Sequence, residues 1–228
     1  MSKIVHPYAH RLVILRDWRS RWFADPKQYN IYLKGDVLVR EYLEKKLRGM
    51  YISAIEIERN QKTTRFIIKT SRPGLIIGRS GEGATKLKED ILKKMAALKL
   101  PKPEDFKLEI VEVTNPEADA AIVAYMIAEG LEKRMPYRRV IKQVIEKVMQ
   151  AHGVEGARIV LGGRLGGAEI ARTEELKRGS IPLQTFRADI DFKRERANLA
   201  YGVIGIKVWI YRGKIFAEKK KTVNNQTN

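Results

Sequence analysis

A dense group of basic residues near the middle of the chain is the first candidate for chemistry. Pro136 can open a helix, and at the helical period Arg138, Arg139 and Lys142 then share one exposed quadrant opposite a valine and isoleucine face. Basic side chains at a helix N-terminus oppose the helix dipole, so we predict that a polyanion lies in front of them. Salt bridges to the acidic stretch 101–132 are the alternative. The complete group, with no acidic residue among its members, is Lys133, Arg134, Arg138, Arg139 and Lys142.

A Gly-x-x-Gly loop, Gly78-Arg79-Ser80-Gly81, is the second candidate. Two glycines let the backbone pass close to a sugar-phosphate, and the N-terminal amides of a following helix favour a phosphate. Ile76, Ile77 and Leu87 would supply an apolar floor for bases. A plain helix–turn–helix corner is the alternative. Because Arg79 is the one basic residue between the glycines, we expect the loop to hold RNA with little charge.

Enzymatic and metal chemistry have little support in the sequence. The chain has no cysteine and three histidines, which excludes disulfides, thiol nucleophiles and cysteine-ligated zinc. Asp189 and Asp191 share one strand face and could in principle hold a divalent ion, but Arg187 lies on that face too and no third ligand is evident. His6 and His10 also lack a third ligand. We therefore predict a protein that is not an enzyme and that binds no metal or cofactor.

The charge of the chain is strongly positive and unevenly placed. Its 228 residues include 45 Lys and Arg against 27 Asp and Glu, a net charge of +18 with a pI near 10.0. Residues 1–100 hold 22 basic and 10 acidic side chains, whereas residues 101–132 hold 2 and 8. A phosphate backbone is the partner that such an excess suits, and we expect the acidic stretch to face protein neighbours. No apolar run approaches the ~20 residues of a membrane helix, so no membrane partner is predicted.

Hydrophobic patterning predicts an α+β protein. The first half has the order helix, strand, strand, short helix, Gly-x-x-Gly loop, long helix, strand, and its first helix is expected to run from a cap at Asp36 to Leu47. Asn115-Pro116 marks the main boundary, and two helices follow, over about 117–134 and from Pro136 to about His152. They are expected to pack on a mixed or antiparallel four-stranded sheet. Its strands are predicted around Ile159 and Leu161, Ile170, Phe186 to Phe192, and Ile204 to Ile210, with Trp209 and Tyr211 in the core.

These elements divide the chain into four parts. We predict an N-terminal arm over 1–15, a first domain over 16–114, a second α+β domain over 115–216 and a disordered tail over 217–228. The first domain resembles a type II hnRNP-K-homology (KH) domain, in which an extra helix and strand precede the core. The resemblance implies a three-stranded sheet with helices on one face and RNA bound at the Gly-x-x-Gly loop.

Three long and specific strings stand in the second half. They are Gly163-Arg164-Leu165-Gly166-Gly167-Ala168-Glu169-Ile170-Ala171-Arg172, Pro182-Leu183-x-Thr185-x-Arg187-Ala188-Asp189-Ile190-Asp191 and Tyr201-Gly202-Val203-Ile204-Gly205-Ile206-Lys207-Val208-Trp209-Ile210. Lys3-x-Val5-His6-Pro7 and Arg11-Leu12 near the start belong to the same pattern. On these residues the chain resembles the bacterial-type family of ribosomal protein number three of the small subunit, from about residue 3 to 216.

The resemblance implies a place on the head of the small ribosomal subunit, against rRNA and neighbouring head proteins, without homo-oligomer formation. It implies that Arg138, Arg139 and Lys142 line the channel through which mRNA enters and help to unwind structured message. Arg164 and Arg172 are available to phosphate, although a salt bridge from Arg172 to Glu174 or Glu175 is an equal alternative. The rRNA-binding candidates are Lys3, His6, Arg11, Arg164 and Arg172.

Three departures from the family pattern bear on these expectations. Ala9 and Val13 stand where the family usually has glycine, which leaves the path of the arm open. Ser80 replaces a usual lysine, which weakens the expected contact of the loop.

We expect the protein in a cytoplasmic ribosome of bacterial type, with an organellar ribosome left open. A free-standing KH RNA-binding factor in rRNA processing or transcription is the rival interpretation, and a nuclease or lyase is a third.

Overall fold

The computed structural model describes residues 5–60, 62–98, 100 and 105–216. The described chain is α+β, as predicted, and in its second half two helices are followed by four consecutive strands. Lys3 and the tail over 217–228 lie outside the described residues. The helices are α1 (Pro7–His10), α2 (Pro26–Lys46), α3 (Pro73–Ile77), α4 (Glu82–Ala97), α5 (Ala120–Glu132) and α6 (Tyr137–Gln150). The strands are β1 (Ser20–Trp22), β2 (Ile52–Arg59), β3 (Thr63–Thr70), β4 (Asp105–Glu112), β5 (Gly156–Gly163), β6 (Arg172–Gly179), β7 (Ala188–Leu199) and β8 (Gly202–Lys214).

The first half contains a four-stranded sheet in the order β1-β2-β3-β4. Strands β2 and β3 form the predicted antiparallel hairpin, with Ile57 opposite Phe66, and β4 runs parallel to β3. Alternate residues Ile55, Ile57, Phe66 and Ile68 are buried, because one face of the sheet packs against the α2 and α4 core. The sheet has one strand more than predicted, since β1 pairs parallel to β2 at the edge.

Helix α2 begins well before the predicted cap at Asp36, so that prediction was wrong. The helix starts at Pro26, with Asp25 in an extended conformation at the N-cap position. Asp36 lies inside the helix and is buried. Its carboxylate accepts hydrogen bonds from Arg59 Nη2 at 2.8 Å and Trp22 Nε1 at 2.7 Å. This polar network joins α2 to the β1–β2 edge of the sheet.

The second half is an antiparallel sheet in the order β6-β5-β8-β7, covered on one face by α5 and α6. Isoleucines on alternate positions of β8 face the two helices, whereas Trp209 and Tyr211 are buried in a smaller core on the opposite face. Ile170 and Phe186 do not belong to strands, contrary to expectation, and both are exposed. None of the described helices is long and apolar enough to cross a membrane.

The N-terminal arm packs on the second half of the chain. Helix α1 contacts β7, and the ring of His10 stacks on Phe186 with centroids 4.3 Å apart. Of the two positions where the family usually has glycine, Ala9 is helical. Val13 has a φ of 70°, in the left-handed region that β-branched residues disfavour.

Acidic residues of the stretch 101–132 join the two halves. Tyr51 donates a short hydrogen bond to Glu129, and Ser53 donates one to Asp119. Arg48 Nη2 lies 2.7 Å from Glu132 Oε1. The expectation that this stretch faces protein neighbours therefore needs correction, because Asp119, Glu129 and Glu132 are used within the chain.

Candidate nucleic-acid interface

The sequence of α6 separates its surface into two faces, as predicted. Val140, Ile141, Ile145 and Val148 are buried against the second sheet. Arg138, Arg139 and Lys142 are exposed on the other side of the helix. The apolar face fixes the helix, because burying each branched side chain away from water stabilises the folded chain by about 2 kcal/mol. The three cations are therefore displayed on a rigid support.

One of these cations has an acidic partner on a neighbouring strand. Arg138 Nη2 lies 3.1 Å from Glu174 Oε1 on β6, and the Arg138 side chain is still 73% exposed. Hydrogen bonds from Arg138 and then from Tyr137 lower the pKa of Glu174, which keeps it ionised near neutral pH. The predicted alternative, pairing with the stretch 101–132, is wrong for Arg138, since its partner lies far along the chain.

The other two cations are unpaired in the described part of the chain. Neither Arg139 nor Lys142 makes a salt bridge there. Their charge is available to an external anion, and exposed cations of this kind contact phosphates without regard to base sequence. The α6 surface can therefore attract a nucleic-acid backbone through Arg139 and Lys142, with Arg138 available once it leaves Glu174.

The Gly-x-x-Gly loop is exposed between α3 and α4. Gly78 and Gly81 have positive φ values of 71° and 81°, and Ser80 between them also has a positive φ of 52°. Glycine adopts such angles without a steric penalty, so the sequence fixes a tight corner here. Helix α4 starts directly after Gly81, and no side chain caps its first amides. Glu82 stands at that helix start, paired with Lys86 at 2.6 Å, so the charge around the loop is mixed.

The apolar floor predicted beside this loop needs correction. Ile76 and Leu87 are 3% and 4% exposed because their side chains fill the core between α3, α4 and the sheet. Ile77 is accessible as predicted, and Leu75 on the same short helix is accessible as well. Leu75 and Ile77 are therefore the large apolar side chains of α3 that are accessible beside the loop.

Sequence reasoning missed Gly83, which allows α3 and α4 to meet. A Cβ atom at this position would lie 2.6 Å from the carbonyl oxygen of Ile76 and 2.9 Å from that of Ile77. The third glycine within six residues is the signal that could have identified it. The corner therefore depends on Gly83 as well as on the two glycines of the loop.

Arg11 does not fit its predicted role as an rRNA-binding residue. Its side chain is completely buried. Its Nε donates to Ala188 O at 2.6 Å, Nη1 donates to Pro7 O at 3.1 Å, and Nη2 donates to the carbonyls of Leu183 and Thr185, both at 2.9 Å. With its donors occupied inside the fold, Arg11 anchors the arm and has no access to an external phosphate.

The remaining described rRNA candidates are accessible. Partial burial lowers the pKa of His6, and the charges of Arg194 and Arg19 lower it further, which favours the neutral imidazole. Arg164 is exposed, and its Nε donates to Ala168 O at 3.0 Å.

Arg172 is exposed and has no salt bridge in the described chain, because Glu174 pairs with Arg138 and Glu175 with Arg158. The predicted alternative pairing of Arg172 is therefore wrong.

The acidic pair on β7 is neutralised by arginines. Arg16 lies 2.5 Å from Asp189, and Arg212 lies 3.0 Å from Asp191. Asp191 also accepts a hydrogen bond from the backbone amide of Ala120 at 3.0 Å. These carboxylates hold the arm and the start of α5 to the second sheet. Among the described residues, no group of three or more His, Asp or Glu side chains is placed to hold a metal ion.

Comparison with known proteins gives two family matches and many whole-chain relatives. Residues 38–118 match the KH domain model, and residues 127–210 match the model described as ribosomal protein S3, C-terminal domain. The chain is 42% identical to small ribosomal subunit protein uS3 of Pseudomonas aeruginosa over 97% of this chain and 93% of that protein. It is 45% identical to the protein of the same name from a Psychrobacter species, over 94% of this chain and 84% of that protein. It is 42% identical to the Stutzerimonas stutzeri protein of that name, over 99% of this chain and 96% of that protein.

Proposed function

The chain belongs to the ribosomal protein S3 family, and from that premise we propose that it is a structural, non-enzymatic constituent of the small ribosomal subunit. The observation that carries the proposal is the match of both halves, in order, to small-subunit proteins at 42% identity across nearly the whole length. A free-standing KH factor would need only the first half. The chain then binds small-subunit rRNA in the head and works as one copy per cytoplasmic ribosome, in contact with neighbouring head proteins.

We propose further that Arg138, Arg139 and Lys142 line the channel through which mRNA enters and assist the unwinding of structured message. Their exposure on one face of α6 supports this role, as does the absence of salt bridges from Arg139 and Lys142 in the described chain. Contacts to phosphate from a rigid cationic face hold a single strand of any sequence. Such contacts favour the melted form of a hairpin at the point where the message passes.

The rRNA contacts are proposed for the Gly-x-x-Gly loop and for two arginines of the second half. Gly78 and Gly81 allow close backbone approach, whereas Arg79 supplies the one cation of the loop. Arg164 and Arg172 are exposed and can reach phosphate. The mixed charge at Glu82 and Lys86 supports a loop that contacts RNA through backbone amides and shape more than through charge.

The channel role is tested with ribosomes that carry Arg138→Ala, Arg139→Ala and Lys142→Ala together. We expect these ribosomes to translate through a message hairpin severalfold more slowly, because three phosphate contacts near the hairpin are lost, while their rate on unstructured message is unchanged. The measurement is single-turnover elongation on matched messages with and without the hairpin. A variant with Lys147→Ala, Lys177→Ala and Lys207→Ala removes the same charge from exposed positions in the last turn of α6, on β6 and on β8, and serves as the control.

Two outcomes would count against these proposals. Equal slowing on both messages, or equal slowing by the control variant, would remove the assignment of the α6 cations to the channel. Sedimentation of the tagged chain through a sucrose gradient tests the broader function. A chain that fails to migrate with small subunits would contradict membership of the subunit itself.

A further inference from the structure

A cavity of about 520 Å³ opens beside the N-terminus of α6. Its size falls in the range of roughly 300–1,000 Å³ that is typical of sites for small organic groups. Leu131 and Ile204 form a buried apolar floor, and Met135 is 39% exposed at the rim. The cavity therefore offers an apolar surface for a flat group, directly next to the cationic face of α6.

Two tyrosines and two glycines shape the wall of this cavity. Gly166 and Gly167 run between Tyr137 and Tyr201. A Cβ atom at Gly166 would lie 3.8 Å from Cε1 of Tyr137, and one at Gly167 would lie 3.4 Å from Cε2 of Tyr201. Because glycine has no side chain, no side chain at these two positions covers the rings. Tyr137 is half-buried against the core of the second half, so Tyr201 is the more accessible ring. Tyr201 lies in the turn between β7 and β8 and is 63% exposed.

Arginines accompany both rings. The guanidinium of Arg138 lies 5.6 Å from the centroid of Tyr137, and that of Arg164 lies 5.8 Å from the centroid of Tyr201. Arg164 is held there by hydrogen bonds to the carbonyls of Ala168 and Tyr201. Arg134 is the cation that lines the cavity itself, whereas Arg138 and Arg164 lie beside its two tyrosines. The acidic residue at the rim, Glu132, is engaged by Arg48 and the amide of Asn198.

We propose that this cavity binds an unpaired nucleobase of the message, stacked on Tyr201, with Arg164 and, once it leaves Glu174, Arg138 against the flanking phosphates. An accessible aromatic ring inside a cationic rim is the arrangement that recognises single-stranded nucleic acid, since stacking holds the base and the charges hold the backbone. The proposal rests on the channel role of α6 given above. It adds a site for the base, where that role requires only phosphates, and a base held here is withdrawn from pairing.

The test compares two strands bound by the full chain. One strand is a short oligoadenylate, and the other is an abasic ribose-phosphate strand of the same length and charge. We expect the chain to prefer oligoadenylate, and Tyr201→Ala to reduce that preference by about fivefold or more, as expected for the loss of one stacked base. Tyr201→Phe keeps the ring and should retain the preference. Base contacts at the Gly-x-x-Gly loop contribute equally to all three chains, so the difference isolates Tyr201.

Failure of this proposal is distinguishable from failure of the channel role. The triple variant at Arg138, Arg139 and Lys142 should bind both strands more weakly, because it loses phosphate contacts. If it does so while Tyr201→Ala leaves the preference for bases unchanged, the base site is overturned and the channel stands. If the triple variant binds both strands like the wild type, the channel proposal fails. The proposal that the cavity binds a base of the message then fails with it, because it rests on the channel role.

A photocrosslink tests the site without relying on a variant that folds poorly. Small subunits containing the wild-type chain are programmed with a message carrying 5-iodouridine downstream of the decoding site and are then irradiated. Mass spectrometry that finds the message attached to Tyr201 supports the proposal. Attachment of rRNA to Tyr201 in its place, or attachment of message only elsewhere on the chain, overturns it.

Discussion

At the scale of single residues, the arm contains one side chain in a conformation that its type disfavours. Val13 has a φ of 70°, its side chain is 82% exposed, and its amide donates to Arg16 O at 2.8 Å. The left-handed region costs a non-glycine residue about 1–2 kcal/mol, and a β-branched residue is the least suited to it. The turn therefore stores strain, which the hydrogen bond to Arg16 and the packing of the arm maintain.

Val13→Gly should stabilise the protein. Glycine removes the strain but adds freedom to the unfolded chain, so the expected gain in the free energy of unfolding is up to about 1 kcal/mol. Ala9→Gly is the matched control, because Ala9 is helical and glycine there should cost about 0.5–1 kcal/mol. Urea unfolding of both variants measures the difference. A Val13→Gly chain less stable than the wild type would show that the turn is not strained.

Arg138 and Arg11 show that residue type alone does not predict whether a side chain is exposed. Arg138 is exposed as expected from its place on α6, because helical periodicity assigned the opposite face to valine and isoleucine. Arg11 also stands in a basic segment, with Arg16 five residues on, but is completely buried. Its partners are carbonyl oxygens of Leu183, Thr185 and Ala188, and any residue supplies a carbonyl. No local pattern marks such a site.

At the scale of elements, periodic segments were predictable and the short or irregular ones were not. Helix α6 carries a continuous apolar stripe and matches its prediction. The first turns of α2 carry no such stripe, since Tyr29, Ile31, Leu33 and Val37 are exposed on different sides of the helix. Strand β1 has three residues, too few for an alternating pattern. The order of the remaining elements of the first half followed from their hydrophobic spacing.

The corner between α3 and α4 should not tolerate a side chain at Gly83. Gly83→Ala places a methyl group against two backbone carbonyls, which cannot move aside as a side chain does, so we expect a loss of about 1–3 kcal/mol. Gly74→Ala is the control within α3, where a Cβ atom would have open space and alanine favours the helix. Chemical unfolding compares the two. Wild-type stability of Gly83→Ala would mean that α3 and α4 can separate at no cost.

At the scale of the whole molecule, the two halves meet at a polar junction around Asp119. This carboxylate caps α5 through the amides of Ala121 and Ile122, at 2.8 and 3.2 Å, and accepts a hydrogen bond from Ser53 of the first half. Burial raises the pKa of Asp119 above its ordinary value of 3.8, and the nearby charge of Asp191 raises it further. These contacts join residues distant in the chain, so the sequence could not reveal the junction.

The junction makes stability depend on pH in a defined direction. Because the folded chain holds the proton of Asp119 more tightly than the unfolded chain, stability from this group falls as the pH rises from 3.8 through the folded pKa. Asp119→Asn should remove this dependence. The free energy of unfolding of the variant, relative to that of the wild type, should therefore increase as the pH rises from 3.8 through the folded pKa of Asp119. Urea unfolding across a pH series measures it, with Glu169→Gln, which removes an exposed carboxylate, as the control. Parallel curves for wild type and Asp119→Asn would contradict the assignment.

The burial of Arg11 also has a consequence for how the chain is made. Its guanidinium binds carbonyls as far as 177 residues downstream, at the start of β7. Chains grow at about 5–20 residues per second, so the arm emerges roughly 10–35 s before its binding site has been synthesised. Helix α1 therefore stays undocked during the synthesis of the first half. Docking of the first-made segment therefore cannot precede synthesis of the start of β7.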